Sequence, residues 1–131
     1  TWNGSDEHVD KTNPSYEPLL ETPDALYKTF LNNIEPVKSV VIPIRMPSID
    51  ASRIFDDSSI DFILVDAAHD YENVMADLEH WYPKLKFGGI IAGDDISWPG
   101  VHRAVDNFFK NKQWYRAIMN DAGIVWAHQK V

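Results

Sequence analysis

The spacing of apolar positions divides the chain into helical and extended stretches. Residues 24–33 carry Leu26, Tyr27, Phe30 and Leu31 at helical intervals, continued by Ile34, with Pro23 suited to a first turn. Val37 to Ile44 is rich in β-branched residues and predicts a strand whose end Pro43 places at an edge or a bend. "PSIDASRIFDD" predicts a short helix with Ser48 as its cap. Ile60 to Val65 is apolar throughout except for Asp61, as expected of a parallel strand covered on both faces. From Tyr71 to Lys86, Tyr71, Val74, Met75, Leu78, Trp81, Tyr82 and Leu85 fall on one stripe, while Glu72, Asp77, Glu79 and Lys84 point elsewhere. "FGG" at 87–89 is read as the end of that helix. "IIAG" predicts a second buried strand that runs into Asp94 and Asp95. Beyond "ISWPG", Val101, Ala104, Val105, Phe108 and Phe109 predict another amphipathic helix. "WYRAIMN" and "IVWAHQK" around "DAG" predict an antiparallel hairpin.

Helices alternating with strands define an α/β chain with right-handed crossovers and a mostly parallel sheet, closed by the hairpin. No repeat or linker divides residues 1–131, which read as a single domain. In such sheets ligands bind beyond the carboxyl ends of the strands. Asp66 stands at one such end, and Asp94 and Asp95 at the next. Neighbouring strand tips lie about 5 Å apart, so three carboxylates converge and repel unless a proton or cation intervenes. A hard divalent ion such as Mg²⁺ suits carboxylates completed by water and substrate oxygens. His69, within a turn of Asp66, is a candidate general base, and equally a hydrogen-bonded spacer. Asp70 reads as the N-cap of the following helix rather than as a ligand. One of Asp94 and Asp95 could equally cap the loop before the next helix. His8, His80, His102 and His128 show no metal-like pairing, and the five tryptophans are too scattered for a base-stacking platform.

Composition narrows the function classes. A formal net charge of -8 leaves no basic stripe for a nucleic-acid backbone. Cysteine is absent, which removes disulfides, thiolate zinc sites and cysteine nucleophiles. No apolar run approaches the roughly 18 residues of a membrane helix, and the polar start is not a signal peptide. The expectation is a soluble, cytoplasmic protein. "TWNGSDEHVDKTNPSYEP" opens without methionine and reads as a polar loop, so the chain is expected to be the remainder of something longer.

"SIDFILVDAAHDYENVMADLEHWYPKLKFGGIIAGDDISWPGVHRAVDNFF", residues 59–109, resembles the class I S-adenosylmethionine-dependent methyltransferases, nearest the bacterial group of macrocin O-methyltransferase-like enzymes. The resemblance rests on a strand ending in Asp-x-x-His, a "Y-E-x-V-x-x-D-L-x-x-W" helix, "K-x-G-G", a strand ending in Gly-Asp-Asp, "W-P-G-V" and "A-V-x-x-F". It implies a Rossmann-like methyltransferase sheet that is N-terminally truncated. The family's first strand, its glycine-rich cofactor loop and its acidic ribose ligand have no counterpart here. The resemblance also implies S-adenosylmethionine as cofactor. Trp2 and Gly4 would lie in the loop after the family's second strand, and Ser48 and Ile49 in the loop that often lines the adenine, with Asp66 beside the cofactor. Asp66, Asp94 and Asp95 would position a divalent cation, Mg²⁺ or another, that orients a small-molecule hydroxyl whose proton His69 takes. The loop around Trp98 would hold that acceptor. An uncovered strand edge is expected to drive homo-oligomerisation.

Two other functions compete with a metal-assisted O-methyltransferase. One is a non-catalytic remnant of the same fold that serves as a binding or oligomerisation module. The other is a metal-dependent hydrolase built on Asp66, His69, Asp94 and Asp95, which no second histidine cluster supports.

Overall fold

A computed structural model describes residues 1–118 and 124–131. The predicted "DAG" turn, at 121–123, lies outside the described residues. The chain forms two compact units, Thr1–Pro47 and Ser48–Val131.

In the first unit, α1 (Asp6–Val9) precedes α2 (Ala25–Ile34), the helix expected from the spacing of Leu26, Tyr27, Phe30 and Leu31. Trp2 packs its ring against Tyr27 and Phe30, with centroids 4.8 and 4.7 Å away. The Arg45 guanidinium lies over the Tyr27 ring and pairs with Asp24. The strand expected over Val37–Ile44 does not form. Glu35–Val37 is a 3-10 turn, and Val40 and Ile42 are exposed. β-branched residues favour a strand only where a neighbour pairs the backbone, and no described residue pairs with this run.

The second unit carries the core. After α3 (Ser48–Ser52) come β1 (Ile60–Val65), α4 (Tyr71–Trp81), β2 (Leu85–Gly93), α5 (Pro99–Phe108), β3 (Tyr115–Ile118) and β4 (Ile124–Gln129). The sheet order is β1-β2-β4-β3. β1 and β2 are parallel, whereas β4 runs antiparallel to both β2 and β3, as the hairpin reading requires. Ile63, Ile91 and Trp126 face Val74 and Leu78 of α4 and Val101, Ala104 and Val105 of α5 in one apolar cluster. The alternate residues Phe62, Leu64 and Ile90 are exposed, so the sheet is covered on one face only, not on both.

α4 is shorter than its apolar stripe suggested. It ends at Trp81, a 3-10 turn Tyr82–Lys84 follows, and Leu85 already belongs to β2. Pro83 cannot supply the N–H that another helical turn needs. "FGG" therefore sits inside β2 rather than capping α4. Between the pairs Ile60↔Leu85 and Phe62↔Ile90, β1 advances two residues and β2 five, a bulge containing Gly88 at φ +80°. Lys86 Nζ spans the irregularity, donating to both Asp61 carboxylate oxygens at 2.9 Å.

Candidate active site at the strand tips

Parallel pairing brings the carboxyl ends of β1 and β2 side by side, with Val65 opposite Gly93. Each strand then delivers a carboxylate. One ligand atom each from Asp66, His69 and Asp95 lies within 4.8 Å of the others. His69 Nε2 is 3.0 Å from Asp95 Oδ2, and the imidazole stacks on Trp98 with centroids 4.7 Å apart and planes 28° from parallel. The two contacts fix the ring in direction and in plane.

The backbone is shaped for this approach. Asp95 has φ +56°, an uncommon conformation for a residue with a side chain. Asp94 Oδ1 accepts from the Asp95 N–H at 2.8 Å, so Asp94 braces the turn and is not one of the three clustered donors. Asp94 lines a small cavity of about 10 Å³ together with Asp66 and His69. Gly100 lets the start of α5 meet the His69–Tyr71 backbone. A Cβ there would stand 2.2 Å from the His69 carbonyl oxygen. Gly93 likewise makes room for the buried indole of Trp126, whose Nε1 has no hydrogen-bond partner among the described residues.

Asp70 is the N-cap of α4. Its Oδ1 accepts from Asn73 N at 2.9 Å and its Oδ2 from Asn73 Nδ2 at 2.8 Å. Burial acts to raise its pKa, but the hydrogen bonds outweigh it and hold the carboxyl below the usual range. The "DAAHD" segment thus separates into a pair that faces the strand tips, Asp66 and His69, and a structural Asp70.

Beside β1 lies a second cavity of about 310 Å³, lined among others by Ser48, Phe62, Leu64, Asp66, Asp77 and Trp81. Ser48 does not act as the expected cap. Its hydroxyl donates to Asp77 Oδ1 at 2.6 Å and accepts from Trp81 Nε1 at 2.8 Å. Asp77 itself is buried, contrary to its expected outward position, and burial raises its pKa despite the Ser48 hydrogen bond. The signal was in the spacing. Asp77 stands three residues after Val74 and four before Trp81, on the margin of the apolar stripe. Ile49 is half-buried next to Ser48. Trp2 and Gly4 belong to the first unit, where Trp2 is a packing residue and Gly4 at φ +72° sits against Leu20 and His8.

The strand order and helix placement are those of a Rossmann-like methyltransferase sheet, and solved structures match them. A protein from Corynebacterium glutamicum superposes with a TM-score of 0.58 at 13% identity, over 81% of this chain and 55% of that one. The TDP-rhamnose 3'-O-methyltransferase CalS11, an enzyme in calicheamicin biosynthesis, matches with a TM-score of 0.53 at 17% identity, over 78% of this chain and 51% of that one. Spermidine synthase from Thermotoga maritima matches with a TM-score of 0.51 at 16% identity, over 88% and 42% respectively. At these identities the likeness is one of fold. The chain spans about half the length of these structures or less. No curated protein sequence matches it. The profile of a family described as a methyltransferase domain matches residues 5–96, and the chain belongs to that family, the class I S-adenosylmethionine-dependent methyltransferases. Among the described residues no helix is long and apolar enough to cross a membrane.

The Asp66 and Asp95 carboxylates form an oxygen donor pair that suits a divalent cation, with the His69 imidazole within 4.8 Å of both.

Proposed function

We propose that this chain carries the catalytic strand tips of an S-adenosylmethionine-dependent O-methyltransferase acting on a small-molecule hydroxyl, with Asp66 and Asp95 holding a divalent cation. The observation that carries the reading is the convergence of Asp66, His69 and Asp95 at the carboxyl ends of two parallel strands, in a chain of this family. A divalent cation bound there supplies a Lewis acid that lowers the pKa of a coordinated hydroxyl. His69 is stacked on Trp98 with Nε2 3.0 Å from Asp95 Oδ2, and with Asp95 engaged by a cation Nε2 would be the nitrogen that takes the proton the hydroxyl loses. S-adenosylmethionine would supply the methyl group, whose transfer from sulfur to the acceptor oxygen would give a methyl ether and S-adenosylhomocysteine with the hydroxyl proton left on the His69 imidazole. The chain's own share is to fix the acceptor oxygen in line with the methyl group and to accept its proton. Ser48, which lines the cavity beside β1, and its neighbour Ile49 would contact the methyl donor.

Isothermal titration of the chain with S-adenosylmethionine, with and without Mg²⁺, tests the reading. Micromolar binding that Mg²⁺ strengthens, and cation binding lost in Asp66→Asn, are expected. No binding at millimolar cofactor refutes activity for this chain and leaves the non-catalytic fold module. Ester or phosphoester cleavage that is lost in Asp66→Asn favours the hydrolase.

A further inference from the structure

Asp77 is a buried carboxylate that the chemistry above does not use. It is 7% exposed; among the described residues no lysine or arginine forms an ion pair with it, and the cationic group that acts on it is the His80 imidazole of the same helix. A buried charge without a cationic partner destabilises the fold unless strong hydrogen bonds compensate. Its side-chain hydrogen-bond partner is Ser48 Oγ, 2.6 Å away and 29 residues earlier in the chain. Trp81 Nε1 donates to the same oxygen at 2.8 Å. With Asp77 ionised, this relay has one polarity. An indole N–H only donates and an ionised carboxylate only accepts, so the Ser48 hydroxyl must take a hydrogen bond from Trp81 and give one to Asp77. Three side chains from α3 and α4 are thereby locked in one arrangement, and all three line the cavity beside β1 that also borders Asp66.

We propose that Asp77 is a positioning residue: acting through the Ser48 hydroxyl, it fixes the first turn of α3 and the Trp81 ring as the wall that receives the nucleoside end of the methyl donor. The inference rests on the methyltransferase reading of the strand tips. Asp77 touches neither donor nor acceptor in this role. Its charge strengthens the hydrogen bond that holds Ser48, because an ionised acceptor binds a hydroxyl about twice as strongly as a neutral one. Such a residue has a signature that a packing residue lacks. Its neutral isostere relieves a desolvated charge, so stability holds or rises while ligand affinity falls.

The test measures S-adenosylhomocysteine affinity by calorimetry, the thermal midpoint, and the Trp81 indole N–H resonance by NMR. The proteins are wild type, Asp77→Asn, Ser48→Ala, Ser48→Thr and the exposed control Glu79→Gln. Asp77→Asn is expected to melt at or above the wild-type temperature yet bind about tenfold more weakly. Ser48→Ala should also weaken binding and shift the Trp81 resonance. Ser48→Thr, which restores the hydroxyl, should recover both, and Glu79→Gln should change neither. Wild-type affinity in Asp77→Asn and Ser48→Ala overturns this inference alone, as does an affinity loss that only parallels a fall in midpoint. A wild-type chain that binds no S-adenosyl compound overturns the methyltransferase reading and this inference with it.

Discussion

Replacing Asp70 with alanine separates structural from chemical carboxylates in the segment that follows β1. Asp70 satisfies the Asn73 backbone N–H at the start of α4 and holds the Asn73 side chain as well. Alanine leaves that N–H without its protein partner, and the first turn frays. The turn matters because Val74, at its end, is 2% exposed and Leu78 beyond it is fully buried. Loss of an aspartate cap costs about 1 kcal/mol, within a range of about 0.5–2, which for a domain of this size lowers the midpoint by about 3–6 °C. Urea denaturation followed by tryptophan fluorescence gives the difference directly.

The acid limb supplies an independent check. Asp70 has a folded-state pKa held below its unfolded value, so its stabilisation is present above the unfolded value and disappears as pH falls through the folded one. The gap between wild type and Asp70→Ala should therefore be full at neutral pH and close on acidification. Asp70→Asn keeps an oxygen acceptor and should lie close to wild type at neutral pH. Equal stability of Asp70→Ala and wild type at neutral pH would refute the cap, and so would a gap that persists undiminished in acid. Cation binding should be unaffected by either variant, in contrast to Asp66→Asn.

Three further outcomes follow from the geometry. Gly100→Ala places a methyl group against the His69 carbonyl oxygen, which is backbone and cannot swing aside, so it should cost about 1–3 kcal/mol in denaturant melts and move His69 off Asp95. Asp77 has a raised folded-state pKa, so the folded chain binds more protons than the unfolded one and stability should decline as pH rises from the ordinary carboxylate range through the raised value. Asp77→Asn should abolish that component of the pH profile. Finally, β1 ends the sheet and its own Phe62 and Leu64 are exposed, which supports the proposal that two copies of the unliganded chain associate along this edge, in competition with a donor in the cavity the same two residues line. Light scattering should give twice the chain mass for wild type and a monomer for Leu64→Lys, and a monomeric wild type would end that proposal.

The legible parts of the fold were those whose local pattern and tertiary surroundings agree. α4, α5, β1, β2 and β4 all appeared from periodicity, because each buries one face against another element of the same unit, while β3, exposed along its length, is placed by its antiparallel pairing with β4. Val37–Ile44 was misread for the opposite reason. Its β-branched residues satisfy the local preference for a strand, but a ladder is a property of two segments, and none of the described residues supplies the second. The end of α4 was misplaced because Tyr82 and Leu85 continue the apolar stripe after the helix has stopped. They remain buried or half-buried from a 3-10 turn and a strand, so the hydrophobic pattern outlasts the hydrogen-bond pattern that Pro83 interrupts.

The candidate site was legible to the extent that topology alone determines it. Parallel pairing of β1 and β2, with Val65 opposite Gly93, brings Asp66 beside the Asp94–Asp95 pair whatever the side chains do, and a sequence that ends two apolar strands in carboxylates announces as much. The division of labour among the groups was not legible, since it depends on where each side chain finds its partner. Asp94 and Asp95 are adjacent in sequence, yet one braces the turn while the other, at φ +56°, meets His69. Asp77 was hardest to find. A carboxylate on the edge of an apolar stripe looks solvated, and only the return of α3 past α4 shows that the serine hydroxyl takes the place of water. Among the buried polar residues of the second unit, Asp77 combines a desolvated carboxylate with a side-chain partner 29 residues earlier in the chain. An apolar residue of similar size would pack there at lower cost, so its retention is explained by what it holds in place rather than by what it adds to stability.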